Sequence, residues 1–223
     1  KHFLVATDQY NASKYLPKLK QAYGNDFKYI VPENSWIGDD SKYMKHPTYG
    51  MDTKYTYKPQ RYSETLNVHN EWLVEELNKP ENSLWLEDSL INRILALPKE
   101  ELRSDLEEII RYVMTITSNG NIPADFDDGN YNGILASSIM LLGEVGNNES
   151  SLDLVLECLR QSQDFLDYHF SDSADAVFVP TLYKLTTADR FNKLLSFMKE
   201  PGLYSFGKAH VPETMSQIAF RQP

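Results

Sequence analysis

Two acidic stretches hold the side chains best suited to chemistry in this chain of 223 residues. The first contains Asp125, Asp127 and Asp128, followed by Gly129. Closely spaced carboxylates before a glycine are typical of a calcium-binding loop, but an EF-hand needs its glycine sixth and a glutamate twelfth. Here Gly129 is fifth and Ala136 is twelfth. The pattern therefore favours a polar loop between helices.

The second stretch places four carboxylates around His169: Asp164, Asp167, Asp172 and Asp175. Carboxylates and imidazole can bind a metal only where they converge in space, and side chains along one inter-helix loop more often form a solvated rim. We therefore predict no metal site and no cofactor. The acids of both stretches are interpreted as one partner-binding face, formed by Asp125, Asp127, Asp128, Asp164, Asp167, Asp172 and Asp175.

Signatures of catalysis are weak elsewhere. Tyr10 and Lys14 have the spacing of the short-chain dehydrogenase pair, but too few residues precede Tyr10 for the required dinucleotide-binding turn. The single cysteine, Cys158, lies in an apolar stripe and is predicted to be a buried small hydrophobic residue. No nucleophile elbow or phosphate-binding loop occurs. The sequence thus favours a protein without catalytic activity and predicts no catalytic residue.

Charge divides the chain into two parts. Residues 1–62 contain ten Lys or Arg and six Asp or Glu, a net charge of +4, whereas residues 63–223 contain twelve and twenty-six, a net charge of −14. Nine of the fourteen tyrosines also lie in the first part. We therefore predict a basic, Tyr-rich N-terminal segment over 1–62 and a separate acidic domain over 63–223.

The acidic excess also restricts the partners. A strongly negative surface repels phosphate, which argues against nucleic acid and against an anionic membrane, and it attracts a basic protein or peptide. No apolar run approaches the ~20 residues of a membrane span. One cysteine excludes an internal disulfide framework, so the cytoplasm is the expected compartment.

The N-terminal segment allows two interpretations. Short apolar runs over 2–7 and 27–31 flank a helix-like stretch over 11–23, which predicts a small β-α-β unit. An irregular, Tyr-rich arm that packs across the rest of the protein explains the same residues equally well.

Beyond Ser63, apolar residues recur at helical spacing and predict an all-α domain. The clearest helix is predicted to begin at Pro98, where proline and acids suit the first turn, and to close at Asn119-Gly120. Further helix-length apolar segments are predicted over 66–77, 84–95, 134–145, 152–159, 177–185 and 191–198.

The helical part contains a weak internal repeat. A shift of 40 residues pairs Ile139 with Val179 and Leu154 with Leu194, and the shift lies within the ~40–47 residues of HEAT-type helix pairs. In the stretch over 136–159, Gly143 is expected to allow close approach of a neighbouring helix and Gly146 to take a left-handed conformation.

The stretch over 136–159, with its Leu-Gly-Glu-Val-Gly helix end and Leu-rich next helix, resembles the bacterial HEAT-like repeats of the phycobilisome-lyase type. The resemblance implies stacked antiparallel helix pairs that form an α-solenoid whose last unit, from Val211 onward, is cut short at the C-terminus. It also implies a binding scaffold, and no activity transfers with the family name.

These observations predict a non-enzymatic protein-binding scaffold with an acidic solenoid surface. The N-terminal segment is itself a candidate partner, because its positive charge complements the acidic domain. The alternative is an enzyme or small-molecule binder whose site lies between the N-terminal segment and the repeats, with Asp125, Asp127 and Asp167 beside tyrosines of that segment.

Overall fold

The computed structural model describes residues 2–5, 21, 27–30, 55–82, 85–118, 133–146 and 149–221. Contacts divide the chain into two compact units, 1–49 and 50–223. In the first unit, β1 (His2–Val5) and β2 (Phe27–Ile30) pair in parallel. Apart from one residue, the predicted helix between them lies outside the described residues, so the β-α-β unit stays a prediction.

The described part of the second unit is helical, which confirms the predicted all-α class. It contains nine α-helices and three short 3-10 turns, at Pro80–Asn82, Ser171–Ser173 and Ala188–Arg190. The helices are α1 Glu71–Leu77, α2 Asp88–Leu95, α3 Lys99–Thr117, α4 Gly133–Val145, α5 Glu149–Leu159, α6 Gln163–His169, α7 Ala174–Leu185, α8 Phe191–Lys199 and α9 Ser205–Arg221.

Helix α3 shows why the periodic segments fold as predicted. Pro98 precedes its first residue, and Glu100 and Glu101 lie in its first turn, where acids complement the exposed N–H groups. Its apolar residues recur every three or four positions, so they share one face and are buried there. The buried apolar residues are Leu102, Leu106, Ile109, Ile110, Val113 and Met114.

Side-by-side contacts connect four helices in a series: α3 contacts α4, α4 contacts α7, and α7 contacts α9. Three ion pairs join residues that are 40 positions apart. Glu144 pairs with Lys184, Asp153 with Lys193, and Arg160 with Glu200. Positions that the 40-residue shift relates therefore lie next to each other.

The two glycines of the predicted repeat behave differently. A Cβ at Gly143 would lie 3.3 Å from the Thr181 Cα atom, so the expected close approach of two helices is confirmed. The left-handed conformation expected at Gly146 is wrong, because only Gly202 among the described glycines has a positive φ. Gly146 instead lacks room for a side chain, since a Cβ there would lie 2.8 Å from a methyl group of Leu185.

Residues 55–62, which we call the strap, form neither helix nor strand and contact the helices. They belong to the compact unit that begins at residue 50, although composition alone groups them with residues 1–54.

Gly207 offers a test of the helix packing. A Cβ at Gly207 in α9 would lie 2.1 Å from the carbonyl oxygen of Leu159 at the end of α5. Overpacking of this kind costs about 1–3 kcal/mol or more, which exceeds the ~1 kcal/mol that alanine gains over glycine in a helix. We expect Gly207→Ala to lower the free energy of unfolding in urea. Gly143→Ala, where contacts begin at 3.3 Å, is the matched control and should lower it by less than Gly207→Ala does. Equal losses in the two variants would contradict the close packing of α9 on α5.

Candidate functional site

Helix α6 carries Asp164 and Asp167, two acids of the predicted partner-binding face. Its N-cap, Ser162, accepts a hydrogen bond on its hydroxyl from the Phe165 N–H at 3.3 Å. Phe165 and Leu166 are buried, which leaves Asp164 and Asp167 exposed to solvent. The amphipathic pattern of a single short helix thus positions both carboxylates.

The next two acids follow directly. Asp172 lies in the 3-10 turn after α6 and Asp175 in the first turn of α7, and both are exposed. The Asp175 Oδ1 atom is 2.6 Å from the Nδ1 atom of the buried His210 in α9. We call Asp164, Asp167, Asp172 and Asp175 the acidic patch. The other predicted members of the face, Asp125, Asp127 and Asp128, lie outside the described residues.

The acidic patch lies in a stretch of the chain that contains no Lys or Arg. Within the described part of the chain, no Lys or Arg forms an ion pair with Asp164, Asp167 or Asp172, and residues 161–183 contain neither residue type. Several carboxylates elsewhere in the unit form ion pairs: Glu107 with Arg111, Asp153 and Glu149 with Lys193, Glu144 with Lys184, and Glu200 with Arg160. The patch therefore projects an uncompensated negative field.

The charge of the patch affects the pKa of a neighbouring tyrosine, Tyr204. Burial, followed by the charge of Asp167, raises the pKa of Tyr204. The Tyr204 ring is 5.9 Å from the Phe206 ring, which in turn meets His210 edge-on at 4.9 Å. Half-buried aromatic side chains therefore adjoin the carboxylates.

His169, the histidine within the acidic stretch, is buried and neutral. Its Nε2 atom is 2.9 Å from the Thr117 hydroxyl, which itself donates to the Val113 carbonyl. The Thr117 oxygen must therefore accept, so the proton lies on Nε2 and Nδ1 has no hydrogen-bond partner among the described residues. Burial lowers the pKa of His169 to about 3. This histidine contributes no charge to the patch.

Sites for metal or nucleophilic chemistry do not emerge from the described residues. No group of three or more His, Cys, Asp or Glu side chains there is arranged to hold a metal. Cys158 is fully buried, as predicted, and burial raises the pKa of its thiol well above the ordinary value. It is therefore not a nucleophile at neutral pH.

The strap is bound to the helical unit through its main chain. The Thr56 and Tyr57 N–H groups donate to the Gly202 carbonyl at 2.9 and 3.2 Å. The Gln60 N–H donates to a carboxylate oxygen of Glu157 at 3.1 Å, and the Tyr62 N–H donates to the Thr115 hydroxyl at 2.9 Å. The strap thus crosses α3, α5 and the turn between α8 and α9.

Tyrosine side chains add two further contacts. The Tyr55 hydroxyl donates to the Arg160 carbonyl at 2.9 Å, and the Tyr57 hydroxyl donates to Glu157 Oε2 at 2.7 Å. Burial and the nearby Glu157 carboxylate raise the pKa of Tyr55 to about 12 and that of Tyr57 further. Both phenols therefore stay protonated and act as donors.

Glu157 and Arg160 form the charged centre beneath the strap. Arg160 binds both carboxylate oxygens of Glu200, with Nε–Oε2 at 2.7 Å and Nη2–Oε1 at 2.6 Å. Its Nη1 atom lies 3.6 Å from Glu157, whose side chain is buried in α5. A bidentate pair of this kind fixes the guanidinium and its backbone in one position.

A second buried carboxylate, Asp105 in α3, holds the chain where it enters α1. It accepts hydrogen bonds from the N–H groups of His69 and Asn70 at 2.7 and 3.0 Å and from both side chains. Burial alone would raise the pKa of Asp105, but these hydrogen bonds outweigh it and lower the pKa.

The sequence did not single out the residues that form these two clusters, Glu157, Arg160 and Gly202 beneath the strap and Asp105 before α1. The signal in the sequence was the alternation of tyrosines at 55 and 57, which agrees with a Tyr-rich arm packed across the helices. Of the acids in the alternative enzymatic site, Asp167 is exposed on α6, and Asp125 and Asp127 lie outside the described residues.

No protein-family model matches the chain, and no curated protein or solved structure is significantly similar to it. None of the helices in the described ranges combines the length and apolar character needed to cross a membrane.

The pair of His69 and Asp105 predicts a pH dependence of stability. The hydrogen bond to Asp105 and the charge of that carboxylate raise the pKa of the exposed His69. A raised pKa in the folded state gives a contribution that is present below the ordinary value of ~6.5 and is lost as the pH rises through the folded-state pKa. We expect His69→Ala to lower the unfolding free energy more at about pH 5.5 than at about pH 8.5.

The control for this test is the same substitution in an Asp105→Asn background. Without the Asp105 carboxylate, the effect of His69→Ala should vary much less with pH, because Glu101 is the only other carboxylate among the described residues that raises the pKa of His69. A pH-independent effect in the wild-type background would contradict the assigned ion pair.

Proposed function

We propose that this protein is a non-enzymatic binding scaffold whose helical unit is a HEAT-like solenoid. Its acidic patch recruits a basic protein or peptide in the cytoplasm, and neither nucleic acid nor a membrane surface is its ligand. The observation that carries the proposal is the stretch over 161–183, which contains no Lys or Arg and whose exposed Asp164, Asp167 and Asp172 form no ion pair with a Lys or Arg in the described part of the chain.

The solenoid part of the proposal is supported by the contacts at an offset of 40 residues. Glu144–Lys184 joins α4 to α7, and Asp153–Lys193 joins α5 to α8. In a solenoid, each repeat contacts its neighbours through equivalent positions, and the stacked helices offer an extended surface for binding.

The patch is suited to a basic ligand on electrostatic grounds. Uncompensated surface charge attracts an oppositely charged partner and accelerates its encounter, and salt screens this attraction. The half-buried rings of Tyr204 and Phe206 near Asp167 and Asp175 add surfaces on which a lysine or arginine side chain can pack.

Neutralising the patch tests the proposal. The variant carries Asp164→Asn, Asp167→Asn and Asp172→Asn, and spares Asp175 because it contacts His210. The probe is a fluorescein-labelled peptide of alternating lysine and serine, titrated at low and at high salt. Each exposed charge is expected to contribute roughly 0.2–1 kcal/mol to peptide binding. The variant should therefore bind the peptide about tenfold more weakly than wild type at low salt, and its binding should depend less on salt.

The matched control removes the same charge elsewhere on the surface, through Glu64→Gln, Glu75→Gln and Glu87→Gln. This variant should bind the peptide as the wild type does. Equal weakening in both triple variants would show attraction to the net charge alone, and equal binding by wild type and patch variant would also contradict the proposal.

A further inference from the structure

We propose that the strap is a peptide ligand bound in cis, and that the surface beneath it recognises extended segments with a Tyr-x-Tyr pattern. We call this surface the strap site and define it by Thr115, Glu157, Arg160 and Gly202. It is separate from the acidic patch, so the inference goes beyond the function proposed above.

Main-chain recognition is the first reason. The N–H groups of Thr56, Tyr57, Gln60 and Tyr62 are satisfied by a carbonyl, a carboxylate and a hydroxyl of the helical unit, not by a strand or helix of their own. When an extended peptide adds to the edge of a sheet, main-chain hydrogen bonds likewise supply affinity and pockets for alternate side chains supply specificity.

The alternation of exposure within the strap is the second reason. Residues 55, 57, 59 and 62 are half-buried, whereas 56, 58, 60 and 61 are exposed. One side of the extended segment therefore faces the helices. The tyrosines at 55 and 57 donate hydrogen bonds from that side, and the exposed Lys58 and Arg61 face away from it.

The strap site is held in place by contacts that do not involve the strap. Arg160 is fixed by its bidentate pair with Glu200, and Glu157 lies on the regular helix α5. Gly202 has a φ of 74°, which orients the carbonyl that accepts two strap N–H groups. A Cβ at that position would lie 2.1 Å from the Thr56 hydroxyl, so only glycine admits the strap so closely. A surface that is already ordered loses little conformational entropy of its own when it binds a segment.

The strap is also exchangeable in energetic terms. It is attached by isolated hydrogen bonds and half-buried rings, and regions of this kind open locally before the core unfolds. A tethered ligand acts at an effective concentration on the order of millimolar, so the strap excludes weak competitors unless its own contacts are removed.

The experiment restores the ligand in trans. Full-length chain with Tyr55→Ser and Tyr57→Ser, the strap variant, is titrated with a fluorescein-labelled peptide that copies residues 54–63. Two lost hydrogen bonds at roughly 1 kcal/mol each predict at least tenfold tighter peptide binding by the strap variant than by wild type. Adding Glu157→Gln, which removes the charged acceptor of Tyr57 and Gln60, should weaken that binding about tenfold.

Peptide controls separate the strap site from the acidic patch. A peptide in which serine replaces the tyrosines at 55 and 57 keeps Lys58 and Arg61, and it should not bind the strap variant. If this peptide binds as well as the original, charge alone drives binding and the strap site is overturned, while the function proposed for the patch stands.

Tyr57→Phe provides a test that does not depend on the fold of the double variant, because it removes only one hydroxyl group. We expect this variant to bind the peptide a few-fold more tightly than wild type, in line with one lost hydrogen bond. Equal binding by Tyr57→Phe and wild type would overturn the proposal. A strap variant with native circular dichroism that fails to bind the peptide would overturn it as well.

Discussion

The buried carboxylate of Glu157 constrains the arrangement of the chain around it. A charge that is only 6% exposed is unfavourable unless hydrogen bonds and an opposite charge replace the lost water. Tyr57 and Gln60 of the strap supply two donors and Arg160 supplies the charge. Arg160 in turn binds Glu200 after α8. The hydrogen bonds and ion pairs around Glu157 therefore connect the strap, α5 and the turn before α9. Without the strap at this position, Glu157 would keep only Arg160 of its three partners.

The pairing of charges follows the packing of the helices. At Glu144–Lys184, between α4 and α7, and at Asp153–Lys193, between α5 and α8, each acid faces a base from another helix. Asp164, Asp167 and Asp172 lie on a short helix and a turn within residues 161–183, which contain no Lys or Arg. Their charge is therefore unused by the described fold. Exposed charge without a structural partner is the kind of feature that an external ligand explains, which is why the patch, and not the total charge of −10, supports the proposed function.

Periodicity predicted the parts of the fold that depend on local sequence. The apolar spacing of α3, the burial of Cys158 and the close approach at Gly143 all follow from residues within one or two helical turns. The burial of Glu157 could not be predicted in this way. Glu157 is adjacent to Cys158 in an apolar stretch, and a single acid in such a stretch normally faces solvent. Its burial depends on Tyr57, 100 residues away. The sequence predicts that the acids of the patch are exposed and shows that 161–183 contain no Lys or Arg, but the absence of ion pairs to other described helices is a property of the folded chain.

The strap explains why two boundaries drawn through the chain disagree. Composition changes after residue 62, because the preceding residues are rich in tyrosine and in Lys or Arg, whereas contacts place the boundary at 49. A segment that binds helices in an extended form needs side chains with both a hydroxyl donor and an apolar ring, and tyrosine provides both. The strap therefore keeps the composition of the residues before it while it packs with the residues after it. The strap is attached through its tyrosines and main-chain N–H groups, whereas Lys58 and Arg61 are exposed. Hydrogen bonds and the packing of rings therefore hold the strap, although the charge of the two parts of the sequence suggested ion pairs.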